Sequence, residues 1–121
     1  MVGSYKDLRA WKLSMEMAME IYRQTESFPR EERYGLTSPL RRAAVSVSSN
    51  IAEGKGRSSD KERVLFLHHA RGSLLEVETH LLIAEGLRYG SETETRRLLG
   101  LVEALAKTLN ALLKSLKPMA A

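Results

Sequence analysis

The side chains able to do acid–base or metal chemistry are few and poorly spaced for it. Histidine occurs at His68, His69 and His80 only. Adjacent helical positions point about 100° apart, so His68 and His69 do not jointly face one metal, and neither H-E-x-x-H nor E-x-x-H occurs. Glu76 and Glu78 lie two positions apart and face different ways, which gives no general acid/base pair. No serine sits in a G-x-S-x-G elbow. The absence of cysteine removes thiol catalysis, disulfides and zinc–thiolate sites together. The expectation is a non-enzymatic protein with no catalytic residue, metal or cofactor. A small-ligand or enzyme site formed between subunits stays open as an alternative.

Positive charge is the next feature with chemical content. Lys plus Arg number 19 against 15 Asp plus Glu, a formal net charge of +4. That excess permits a polyanion partner without requiring one. Arg41, Arg42, Lys55, Arg57, Lys61 and Arg63 flank one loop and are expected to converge at one end of the fold, as a candidate nucleic-acid surface. Within it "GKGRSSDK" sets Lys55 and Arg57 just before a helix start, where free N–H groups and the helix dipole suit a phosphate. The stretch matches neither a Walker loop nor a dinucleotide fingerprint. A flexible basic turn, with Asp60 and Glu62 satisfying the dipole, is the simpler account. Arg96, Arg97, Lys107, Lys114 and Lys117 form a second basic set, for which a solvated helix face is the ordinary reading. With few aromatics for stacking, binding to RNA or DNA would be led by phosphate and weakly sequence-specific.

These residues must be positioned by helices. Leu, Ala, Glu, Lys and Arg are abundant, and proline is confined to Pro29, Pro39 and Pro118. Leu8, Trp11, Met15, Ala18, Tyr22 and Thr25 follow a 3-4 spacing that predicts a first helix over about 7–26, ended by Pro29. "PREERYGL" predicts a short helical turn closed by Gly35, with Thr37 or Ser38 capping a second helix over about 38–54. Its stripe is Leu36, Leu40, Ala44, Val47 and Ile51, ending at Gly54 or Gly56. Val45 to Ser49 alternates like a strand, but the helical spacing extends much further. Ser59 and Glu62 form a capping box that opens a third helix over about 59–88, striped by Leu67, Ala70, Leu74, Val77, Leu81 and Ala84. Ser91 and Glu94 form another, before a fourth helix over about 92–117 with Leu98, Val102, Leu105, Leu109, Leu112 and Leu116. Short connections and a 3.5-residue period predict an all-α, up-down-up-down, left-handed four-helix bundle in a single domain. Leu74, Val77, Leu81, Leu105 and Leu109 should share its core.

Two features suggest self-association. Arg42, Ser46, Ser49 and Glu53 fall on one side of the second helix, opposite its apolar stripe, and the small side chains allow close approach. Arg42 and Glu53 lie about 16 Å apart along the axis, too far to pair with each other. These four are the candidate oligomer interface; a solvated face is the alternative. The third helix is predicted at about 45 Å against about 27 Å for the second. It also carries Leu65, Phe66, Leu75, Leu82, Ile83 and Leu87 outside its stripe, as either a broad core-facing sector or a second face buried against another chain. No apolar run approaches the length of a membrane span or a secretion signal, so a cytoplasmic protein without membrane contact is expected.

"YKDLRAWKLSMEMAMEIYRQTESFPREERYGL", "RRAAVSVSSNIAEGKGR" and "ARGSLLEVETHLL" together resemble the four-helix-bundle family of 23S rRNA-intervening-sequence proteins, from Tyr5 to about Leu116. Pro39 departs from the polar residue, such as Gln, that the family pattern leads one to expect. The family is similar to the accessory protein of diversity-generating retroelements, a basic barrel of five bundles thought to bind nucleic acid and a reverse transcriptase. The resemblance implies a homo-oligomer, with a pentamer as the leading number, and RNA, DNA, a reverse transcriptase or another protein as partner. A protein-interaction scaffold without nucleic-acid binding is the alternative function.

Overall fold

In the computed structural model, which describes residues 3–116, buried aliphatic side chains fall on four helices: α1 (Arg9–Thr25), α2 (Ser38–Lys55), α3 (Asp60–Gly86) and α4 (Glu92–Leu116). No strand occurs among the described residues, and Val45 to Ser49 lies within α2. Each helix packs on its neighbours in the chain, and α1 packs on α4, so the four form a closed square. The short links from α2 to α3 and from α3 to α4 reverse the chain direction. No helix among the described residues is long and apolar enough to cross a membrane.

The stripes expected on the second and third helices are buried in full, and Leu74, Val77, Leu81, Leu105 and Leu109 share one core. On α4 the inward positions near the end are Leu109 and Leu113, with Leu112 and Leu116 at the edge. Lys117 and Pro118 lie outside the described residues.

Helix α1 corrects the sequence expectation. Its buried positions are Ala10, Ser14, Met17, Ala18, Ile21 and Thr25, not the row of Trp11, Met15 and Tyr22. Two rows at helical spacing run side by side here. The one with smaller residues faces the core, because it lets α1 and α2 approach closely enough for Ser48 Oγ to donate to Ser14 Oγ at 2.9 Å. Ser14 in turn donates to the Trp11 carbonyl at 2.7 Å, so this buried polar pair is satisfied. The bulkier row is displaced to an outer edge.

The link from α1 to α2 also differs from the reading of a turn closed by Gly35. Arg30–Glu32 forms a 3-10 turn, and Arg33–Thr37 a π-helical turn that runs into α2 without a break. Thr37 therefore has helical backbone angles and makes no capping bond. Pro39 stands in the first turn of α2, just past the end of the π-helical turn. Ser59 and Ser91 do cap, accepting from the Glu62 and Glu94 N–H groups at 3.2 Å each. Glu94 turns its carboxylate to Arg97 instead of completing the box. An additional cap precedes α1: Ser4 accepts from Lys6 N–H at 2.9 Å while Asp7 accepts from Ser4 N–H at 3.2 Å.

Candidate nucleic-acid and self-association surfaces

Helix α2 separates the basic residues expected to converge. Arg41 and Arg42 lie in its first turn and Lys55 in its last, about 21 Å apart along the axis at 1.5 Å per residue. Lys55, Arg57, Lys61 and Arg63 therefore gather at one end of the bundle, around the α2–α3 link, and Arg41 and Arg42 stand at the other. At the first end Arg57 stacks on Phe66 with its guanidinium 4.3 Å from the ring centre and reaches Glu53 at 3.4 Å. Arg63 pairs with Asp60 at 2.8 Å. Lys55 and Lys61 make no ion pair among the described residues, which leaves their ammonium groups for an anion. Lys55 and Arg63 also border an apolar cleft of about 160 Å³ floored by Ile51, Leu67 and Leu112. No carboxylate or histidine is among its lining residues.

At the opposite end Arg41 is held rather than free. Its Nε donates to Thr25 Oγ1 at 2.8 Å, one terminal nitrogen donates to the Tyr22 carbonyl at 3.2 Å, and the guanidinium lies 4.7 Å from the Tyr22 ring centre. Two arginines that the sequence reading passed over, Arg30 and Arg33, join it around one recess because the 3-10 and π turns fold back beside α2. Their position in "FPREERYGL", well before Arg41, concealed this. Three members of the second basic set, Arg96, Arg97 and Lys107, are paired within the chain. Arg96 pairs with Glu85 at 2.6 Å and Lys107 with Glu103 at 3.4 Å. Arg97 bridges Glu94 and Glu20, which raises its already high pKa, chiefly through the hydrogen bond to Glu94.

No grouping of three metal-binding side chains occurs among the described residues. His80 Nδ1 lies 2.7 Å from the Glu76 carbonyl on its own helix, and His69 packs edge-on against Phe66.

The expected interface residues do not form one free face. Ser46 is a correction: its hydroxyl is 2.8 Å from Ser73 Oγ on α3 of the same chain, and it also accepts from Asn50 Nδ2 at 3.1 Å. It faces the most extensive helix pair of the fold, α2 against α3, where Gly54 also fits closely under Phe66. Arg42, Ser49 and Glu53 are exposed, and Ser49 turns toward α1.

Two apolar grooves lie elsewhere on the surface. One runs between α1 and α2, lined by Trp11, Met15, Met19, Tyr22 and Val45. Tyr22 and Val45 are over 40% exposed there. The other runs between α3 and α4; Leu75, Leu82, Leu99 and Ala106 give it an apolar strip, with Arg71, Glu78, Arg96, Glu103 and Asn110 also lining it. Leu75 is 58% exposed, so α3 carries an unpartnered second face rather than a broad inward sector. Because the helices form a square in chain order, these grooves occupy opposite sides of the bundle.

Comparison with known proteins agrees with this architecture. The family model for 23S rRNA-intervening sequence proteins matches residues 6–111. A crystal structure of a Bacteroides thetaiotaomicron protein of unknown function, from the S23 ribosomal protein family, superposes with a TM-score of 0.79 at 19% identity, covering 87% of this chain and 95% of that one. No curated protein matches the chain in sequence. The chain belongs to the 23S rRNA-intervening sequence protein family.

Proposed function

We propose that this family member assembles head to tail into a closed ring of identical bundles, and that the ring presents its basic bundle ends to nucleic acid. The observation that carries the reading is the pair of apolar grooves on opposite faces. A patch that mates with itself gives a two-fold dimer, whereas two different patches on opposite sides give a heterologous contact that closes into a ring when the rotation permits. Burying both grooves removes the exposed Leu75, Leu82, Met19 and Val45 from water at once. The family resemblance makes five the leading subunit number.

Assembly multiplies charge. Each copy adds Lys55 and Lys61 at one rim and Arg30, Arg33 and Arg42 at the other, so a modest monomer charge becomes a concentrated field at each mouth of the ring. The chemistry supported is binding, without a catalytic step.

Light scattering at micromolar concentration should give a mass several times 13.6 kDa; a monomer contradicts the ring. Affinity of that oligomer for RNA or DNA should fall steeply with salt, and Lys55→Gln with Lys61→Gln should flatten the slope. An oligomer that binds neither nucleic acid at low salt would instead be a protein-interaction scaffold.

A further inference from the structure

The end of the bundle formed by the α1–α2 link carries a feature that charge alone does not explain. Arg30, Arg33 and Arg41 line one recess of about 370 Å³, together with the hydroxyl-bearing Thr25 and Thr37. None of these three arginines has a carboxylate within 4.0 Å among the described residues, whereas Arg23, Arg57, Arg63, Arg96 and Arg97 each do. Glu26 borders the recess without pairing to them, exposed Glu31 lies on the same turn, and the Glu32 carboxylate is taken up by the Tyr89 hydroxyl at 2.8 Å. Arg41 is pre-positioned by its bonds to Thr25 and Tyr22, which use two of its five N–H groups. Guanidinium groups gathered without matching carboxylates are a fitting cradle for a phosphate, which they recognise in bidentate fashion.

The second observation is independent of charge. Tyr34, next in the chain to Arg33, is 79% exposed, more than any other large apolar side chain among the described residues. The Arg33 guanidinium lies 5.6 Å from its ring centre. An aromatic face open to solvent beside a phosphate cradle is the pairing that single-stranded nucleic-acid sites use, with the phosphate on the cations and the base stacked on the ring. A base inside a duplex has both faces covered and cannot stack there. Tyr34 lies at a bundle end, apart from both apolar grooves, so ring closure leaves it open.

We infer that Arg30, Arg33, Arg41 and Tyr34 form an anchor for one unpaired nucleotide, which makes the protein prefer single-stranded nucleic acid to duplex. The inference rests on the nucleic-acid reading above and specifies which part of the molecule does the discriminating. Arg41 holds α1 to α2 and is left intact in the test, because its loss would disturb the fold. The probes are short labelled single-stranded RNA, single-stranded DNA of the same sequence, and the matching duplexes. Wild type is compared with Tyr34→Ala, Tyr34→Phe, the double variant Arg30→Gln/Arg33→Gln, and Lys107→Gln as a charge control on α4. Helical content and molar mass are checked for each.

Tyr34→Ala should weaken single-strand binding by at least about fivefold and leave duplex binding unchanged, while Tyr34→Phe retains the preference. The double arginine variant should lower the salt slope by about 0.7 to 1 for each anchor engaged, and Lys107→Gln should not weaken single-strand binding. Comparison of RNA with DNA shows whether the sugar matters to the anchor. Wild-type binding that Tyr34→Ala and the arginine variant leave intact overturns the anchor but not the nucleic-acid reading. Absence of wild-type binding to every probe overturns both.

Discussion

Arg88 has φ 62°, in the left-handed region, and follows α3 where helices usually end on glycine. A residue with a Cβ pays a conformational penalty there of roughly 1 kcal/mol. Arg88 makes no ion pair among the described residues to offset it. Arg88→Gly should therefore stabilise the protein by about 0.5–1 kcal/mol, read as a higher urea midpoint at unchanged slope. Nearby Tyr89 adds a pH dependence. Its hydroxyl donates to Glu32, and that hydrogen bond, with burial and the charges of Glu32 and Glu31, raises its pKa above 10.0. A raised folded-state pKa favours the protonated form, so the contribution is full below the unfolded value and is lost as pH climbs through the folded one. Stability should drop above about pH 10, and Tyr89→Phe should remove the part of that drop due to this residue. At this scale the sequence was readable where one residue type dominated, as in the leucines of α3. It was not readable where partners come from distant segments: nothing in "PREERY" signals that Arg30 and Arg33 meet Arg41.

The interface of α2 with α3 explains why "RRAAVSVSSNIAEGKGR" is rich in small residues. Gly54 is buried, and a Cβ there would stand 3.2 Å from the Phe66 Cβ and 3.4 Å from the Arg63 carbonyl. Gly54→Val should cost about 1–3 kcal/mol through overpacking, measured by denaturant unfolding, even though valine has the higher helix propensity. Gly72 and Gly100 have nothing within 4 Å of such a Cβ, so Gly100→Ala should not destabilise and serves as the comparison. The four helices were legible from period and capping residues, with ends displaced by only a residue or two. The face of α1 was not, because its aromatic row and its small-residue row share the same spacing. The 3-4 spacing fits the aromatic row as well as the small one, and it is close packing on α2 that selects the small one. That displaced row, Trp11, Met15 and Tyr22, now lines an outer groove.

For the whole molecule, the proposed ring gives this displacement and the exposed leucines of α3 a single explanation: both would be contact surfaces between copies of the bundle. The sequence showed the extra apolar width of α3 but not the second groove, which exists only once α1 is turned correctly. The most direct test mixes two defective chains. Val45→Arg blocks the α1–α2 groove, and Leu82→Arg blocks the α3–α4 groove; both side chains are about half exposed, so each change leaves the core intact. In a head-to-tail assembly each variant alone lacks one half of every contact, yet a mixture retains one good groove of each kind. Light scattering at tens of micromolar should find each variant monomeric and the mixture forming a one-to-one dimer and nothing larger. Two variants that remain full oligomers alone, or that stay monomeric when mixed, would contradict the ring.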